Sequence, residues 1–224
     1  KKRKKQFQAD GVFNRVSVVA TSSIIHGLLP PAITKYVGQW PGLPPRIIMK
    51  SFRELSELSP EEDFDLVLAP MPIALSRFRL IDTIDFELRL AGPSENLPDG
   101  DEAIEVSMLA GLPFVSLDPF ATYQDSIETM LNEFNVKVSF VCETSSVVAA
   151  AELVKLGVGY AFLDPFISDL VNGPSVKVVS IHQKLMHKYG IYVPSNGSLS
   201  QESTQFLDTV HAYVEMVTGC PKNK

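Results

Sequence analysis

The chain is short of the groups that make reactive centres. Its 224 residues include only two cysteines, Cys142 and Cys220, and four histidines. Cys142 lies in an apolar, strand-like run and Cys220 in a polar tail, which reads as two free thiols in a reducing compartment. His26, His182, His187 and His211 are scattered, with no clustered ligand set for zinc and no metal site expected. There is no Walker loop and no Gly-x-Ser-x-Gly elbow. Gly157-x-Gly159 follows a helical run and precedes a strand, the reverse of the order in a dinucleotide fingerprint. No apolar run reaches the ~18 residues that a membrane span needs. The opening, KKRKKQFQAD, has no apolar stretch behind it and is not an intact signal peptide. No aromatic residues interleave with its basic run Lys1–Lys5, so residues 1–12 read as a disordered tail or linker remnant. Net charge is −6, a poor balance for gripping nucleic acid directly.

What the chain does have is core: 45% of it is hydrophobic, enough for one large domain or two small ones. Residues 15–20 (RVSVVA), 46–51 (RIIMKS) and 64–69 (FDLVLA) read as strands separated by helical runs, the grammar of a parallel sheet. In the first helical run Pro30-Pro31 sets the opening turn apart, and the main helix is expected from about Pro31. Residues 80–93 contain one strand, and 114–117, 136–142 and 160–163 give three more, with helices at 123–134 and after Ser146. Strands at 176–181 and 189–193 and a long amphipathic helix over 200–217 close the chain. The series predicts an α/β fold of two lobes, each a mostly parallel sheet flanked by helices. Crossings are expected near 87–92 and 188–194. Residues 13–90 with 189–218 form lobe I in this scheme, and 91–188 form lobe II.

Ligands in such folds sit beyond the carboxyl ends of strands. Hydroxyl-rich turns recur at those positions: Thr21-Ser22-Ser23, Thr122, and Thr144-Ser145-Ser146. Each alone is an ordinary N-cap. Several facing one cleft would suit an anion, through free N–H groups and hydroxyls. Phe120, Tyr123 and Phe166 are candidate apolar walls.

The order of these features resembles the effector-binding (regulatory) domain of LysR-type transcriptional regulators. The residues that carry it are RVSVVATSSIIHGLLPPAITKYV over 15–37, DFDLVLAP over 63–70, ETSSVVAAAELVKLGVGYAFLDP over 143–165 and SQESTQFLDTVHAYV over 200–214. The resemblance implies a periplasmic-binding-protein-like fold of type 2 with a small-molecule effector between the lobes. It implies a homodimer or homotetramer, a cytoplasmic location, no cofactor and no membrane. DNA contact would come only through an N-terminal winged helix-turn-helix that these residues do not include. Carried across, the effector site comprises Thr21, Ser22, Ser23, Ser51, Met71, Phe120, Thr122, Tyr123, Ser145 and Asp164, with Ser145 serving a helix N-terminus. The chain departs from the family at Leu163-Asp164-Pro165, where many members have Leu-Pro. Asp164 adds an anion to the cleft, which with the hydroxyl turns suits an effector carrying both a carboxylate and an amine, amino-acid-like or opine-like, with an organic acid as the other class. The other expectation for Asp164 is a cap for the following turn. Catalysis is not expected, because an enzyme on this scaffold would need a convergent acid–base pair and Asp164 is the one candidate. The alternative is an extracytoplasmic solute-binding protein of the same fold.

Overall fold

Short runs of β-branched and aliphatic residues build two sheets, and the chain passes between them twice. The computed structural model describes residues 15–59, 61–98, 102–117 and 123–219. The Lys1–Lys5 run, Cys220, and the turn carrying Phe120 and Thr122 lie outside these residues. The first sheet has the order β2-β1-β3-β10-β4, from β1 (Ser17–Ala20), β2 (Arg46–Met49), β3 (Leu66–Pro70), β4 (Phe78–Glu87) and β10 (Met186–Pro194). Strand β1 runs parallel to β2 and β3, and β10 runs antiparallel to β3 and β4. Four strands therefore point one way and the returning β10 points the other.

The second sheet repeats this plan. It comprises β5 (Arg89–Pro93), β6 (Pro113–Leu117), β7 (Ser139–Thr144), β8 (Ala161–Leu163) and β9 (Val176–Val179). Strand β5 lies between β8 and β9, antiparallel to both, while β6 and β7 pair in parallel. A parallel bridge from Phe114 to Tyr160 joins the two sets, with Val115 and Tyr160 N–H groups each donating across it at 2.8 Å. The order is thus β7-β6-β8-β5-β9, and again only the strand that crosses over runs backwards.

The central strands are buried on both faces, as parallel strands are when helices cover them: Val18, Val19 and Leu66 to Ala69 have no exposed surface. Helix α1 (Leu29–Gln39) buries Leu29, Ala32 and Tyr36, and Tyr36 meets Phe206 of α6 (Gln201–Thr218) edge-on, ring centroids 5.3 Å apart. The shorter helices are α2 (Phe52–Ser56), α3 (Gln124–Glu133), α4 (Val147–Lys155) and α5 (Pro165–Val171). One hydrophobic cluster runs through both lobes, taking in Val18 and Phe86 from the first and Phe114 and Leu163 from the second.

Three details differ from the sequence expectation. Residues 80–93 hold two strands, β4 and β5, broken only at Leu88. Strand β10 already pairs with the first sheet at Met186, so the return crossing lies within 180–185 and not at 188–194. The turn before α1 is helical: Ile24–Leu28 is a π-helix, with Leu29 N–H donating to Ile24 O. Pro30 and Pro31 bring no N–H to the carbonyls four residues earlier, which lets the segment run wide. At the Gly-x-Gly joint, Gly157 takes φ +77° after α4, the left-handed cap that favours glycine. A Cβ on Gly159 would fall 2.4 Å from Pro113 O, so its absence is what lets β8 approach β6.

The two lobes pack backbone against backbone at Gly27, where an added Cβ would sit 2.8 Å from the backbone of Phe166. Gly27→Ala is expected to lower stability by about 1–3 kcal/mol in urea denaturation, because backbone and not a flexible side chain must move. Gly38→Ala, at a helical position with nothing within 4 Å, serves as control and should stabilise by up to ~1 kcal/mol.

Candidate functional site

Where the two sheets face each other, polar groups from four elements meet inside the seam. Ser23 precedes the π-helical segment after β1, Tyr123 precedes α3, Asp164 follows β8, and Tyr189 sits on β10. The Ser23 Oγ lies 2.8 Å from the Tyr189 hydroxyl, which lies 3.3 Å from the Tyr123 hydroxyl. A second link runs beside this chain of hydroxyls. Ser126 Oγ donates to Tyr123 O at 2.7 Å, and its oxygen accepts from His187 Nε2 at 2.8 Å. Tyr123 and Ser126 belong to the second lobe, while Ser23, His187 and Tyr189 belong to the first. These bonds therefore clasp the lobes together.

Aromatic rings wall the seam. Phe86 stands 4.5 Å from the Tyr189 ring and 6.3 Å from Phe166. Such tilted and edge-on pairs add to the apolar burial.

Asp164 is fully buried. Its Oδ1 accepts from the N–H groups of Phe166 and Ile167, both at 3.0 Å, so it caps α5. Its Oδ2 is buried with no hydrogen-bond partner. Tyr189 is close enough to draw the carboxyl pKa down, yet makes no well-aligned bond to Oδ2. Burial outweighs these favourable terms and pushes Asp164 up to about 6. Burial, and then the charge of Asp164, push both tyrosines above the ordinary phenol range. Burial also lowers His187, so a neutral pH leaves the imidazole and both phenols uncharged. Thr21 is 8% exposed and its Oγ1 is a second buried oxygen without a partner.

Of the residues expected at the site, Ser23, Tyr123 and Asp164 come together, with Thr21 next to Ser23's turn. Ser22 is half-buried and turned to the helix surface, 3.4 Å from His26 Nδ1. Met71 follows β3 beside β10, its N–H donating to Lys188 O at 3.0 Å. Ser51 is exposed and spent on α2: Glu54 N–H donates to its Oγ, and Glu54 Oε2 accepts from its N–H and hydroxyl. Ser145 is exposed and does not serve the helix N-terminus; Ser146 caps α4, accepting from Ala149 N–H at 3.2 Å. The backbone decides this: Ser146 holds the extended conformation of a cap (φ −117°, ψ 114°). Tyr189, His187 and Ser126 were not expected. The available signal was a phenol in the middle of the returning strand.

A cavity of about 310 Å³ opens elsewhere, between β7 and α3, lined by residues including Ser116, Glu128, Phe140 and Cys142. It shares no residue with the hydroxyl cluster. Among the described residues no group of His, Cys, Asp and Glu side chains could hold a metal ion, and no helix is long and apolar enough to cross a membrane.

The family model described as LysR substrate binding domain matches residues 9–215. Among curated proteins, none matches significantly. Solved structures share the fold at low identity. The Synechocystis PCC6803 CcmR regulatory domain in complex with 2-PG is 14% identical with TM-score 0.72, over 93% of this chain and 100% of that one. The effector binding domain of QuiR in complex with shikimate is 16% identical with TM-score 0.66, over 91% and 98%. Full-length CbnR complexed with its target DNA is 12% identical with TM-score 0.69, over 95% of this chain and 75% of that one.

The Asp164 carboxyl titrates near 6 when folded against 3.8 when free. The native state thus holds this proton more tightly than the unfolded chain does. Its contribution to stability is full below pH ~4 and is lost as pH rises through about 6, a change of roughly 3 kcal/mol. Asp164→Asn keeps an acceptor for the cap but has no proton to lose. Its stability relative to wild type should therefore be higher at pH 7.5 than at pH 4, as read by chemical denaturation at the two pH values; a difference independent of pH would contradict the assignment.

Proposed function

This chain belongs to the LysR substrate-binding-domain family, and from that premise we propose that it senses a small effector between its lobes for a LysR-type transcription regulator. The observation that carries this reading is the convergence of Ser23, Tyr123, Asp164 and Tyr189 on one buried seam between the two sheets. The fold neighbours that hold 2-PG and shikimate support a small polar effector, amino-acid-like or an organic acid. The proposed lining is Thr21, Ser22, Ser23, Met71, Phe120, Thr122, Tyr123, Ser145 and Asp164, with Tyr189 added and Ser51 left to its cap.

The cluster suits binding better than catalysis. Burial keeps both phenols protonated, and half of the one carboxylate is committed to α5. An effector that favours one arrangement of the lobes shifts their populations by its difference in affinity, typically 1–3 kcal/mol. The two crossings, at Leu88 and within 180–185, are where such a rotation would be absorbed. In this reading the lobe movement alters packing in a homodimer or homotetramer. An N-terminal winged helix-turn-helix makes the DNA contact, as the DNA-bound full-length neighbour suggests. The regulator works in the cytoplasm without cofactor or membrane. The family match favours this over the solute-binding alternative.

A thermal-shift panel of amino acids and organic acids tests the proposal. At least one member should raise the melting temperature, by the equivalent of about 2.7 kcal/mol at a hundredfold excess over Kd. Ser23→Ala should then weaken that compound by roughly 2- to 10-fold, the value of one hydroxyl hydrogen bond, without unfolding the domain. Ser145→Ala should weaken it too; wild-type affinity in both variants would remove these residues from the site.

A further inference from the structure

We infer that the effector carries a protonated amine, and that the free Oδ2 of Asp164 is the atom that receives it. This rests on the proposed effector cleft and decides between its two ligand classes. The argument starts from hydrogen-bond capacity. An ionised carboxylate only accepts. Asp164 spends Oδ1 on two N–H groups and leaves Oδ2 without a donor, at a position with no exposed surface. Two phenols stand near it: the charge of Asp164 raises both Tyr189 and Tyr123, and the Tyr189 hydroxyl lowers Asp164 in turn without lending it a charge. Tyr189 is already engaged with Ser23 and Tyr123. No cation is among the groups that shift Asp164. Thr21 Oγ1 is a second buried oxygen without a partner.

The seam thus offers neutral hydroxyls around a buried carboxylate, and none of the groups that shift Asp164 carries a positive charge to balance it. A second carboxylate placed there would add like charge to an already desolvated one. An ammonium group supplies three donors and the missing positive charge. Capping does not require the carboxylate, since asparagine or serine caps a helix about as well. With Asp164 and Tyr189 both fully buried, the amine enters when the lobes part and is held when they close. Primary amines of modest size fit this chemistry, amino acids foremost.

The test pairs compounds that differ only in the amine. The L-amino acids, methylammonium and putrescine form one set; the deaminated acids matched to the amino acids form the other. Binding is read by thermal shift and calorimetry on wild type and Asp164→Asn. At least one amine should bind, with its deaminated partner weaker by on the order of 10- to 100-fold, and the variant should lose that preference. A ¹³C carboxyl NMR titration of wild-type protein gives a readout that does not depend on the variant folding. Saturating amine should move the Asp164 midpoint well below about 6. Acids that bind wild type and variant alike, with silent amines, overturn this inference and leave the effector cleft standing. Silence from both sets overturns this inference and counts against the cleft as well.

Discussion

Tyr189 joins the two halves of the molecule. It lies on the strand that returns from the second lobe, so its backbone is paired to β3 on one side and β4 on the other. Its ring packs on Phe86 and Phe166, one from each lobe. Its hydroxyl touches Ser23 from the first lobe and Tyr123 from the second. The phenol thus registers this arrangement of the lobes through both contact and hydrogen bonding. A buried hydroxyl needs partners, and this one finds both only while the lobes are together. Parting them would hand at least one of these bonds to water or to a ligand.

That dependence follows from topology. Each sheet has one strand running against the rest, and in each case it is the strand delivered by a crossing from the other lobe: β5 in the second sheet and β10 in the first. Two connections set side by side allow a hinge but resist large independent motion. The ends of β1 and β8 then open toward the same seam, and Ser23 and Asp164, which follow those strands, meet Tyr123 and Tyr189 there. The site is a consequence of placing two similar sheets face to face. The π-helical turn extends this closeness. Its glycine brings the segment against the backbone of Phe166, two residues beyond Asp164.

Most of the strands were legible because parallel strands buried on both faces are short, mostly apolar runs, as in RVSVVA and FDLVLA. The last helix was legible from its period. The crossing near 87–92 was legible, but the split of 80–93 into two strands at Leu88 was not, because no glycine or proline interrupts residues 80–91. Helix α5 was expected only as a capped turn; its seven residues are too few to show a period. Among three consecutive hydroxyl residues at 144–146, the sequence could not choose the cap, and backbone dihedrals choose Ser146. Tyr189 escaped notice for a different reason: its hydroxyl partners lie 166 and 66 residues away, and no local pattern reports a contact at that range. Ser23 and Asp164 could be placed at the seam from the sequence because they sit at strand ends, where position alone carries information.

Asp164 shows how one residue answers two demands. Pro165 occupies the first helical position and has no N–H to satisfy. The next two N–H groups are both taken by a single oxygen of Asp164. That economy leaves the other oxygen over. A cap chosen for stability alone would avoid it, because burying an unpaired charge is costly and an amide would serve the same two donors. Burial answers by raising the carboxyl toward neutrality, and the group rests close to the point where protonation and pairing with a cation are alternative ways to relieve the same cost. If the proposed effector cleft is right, this is the feature that would distinguish a positively charged ligand group from a neutral one of the same shape.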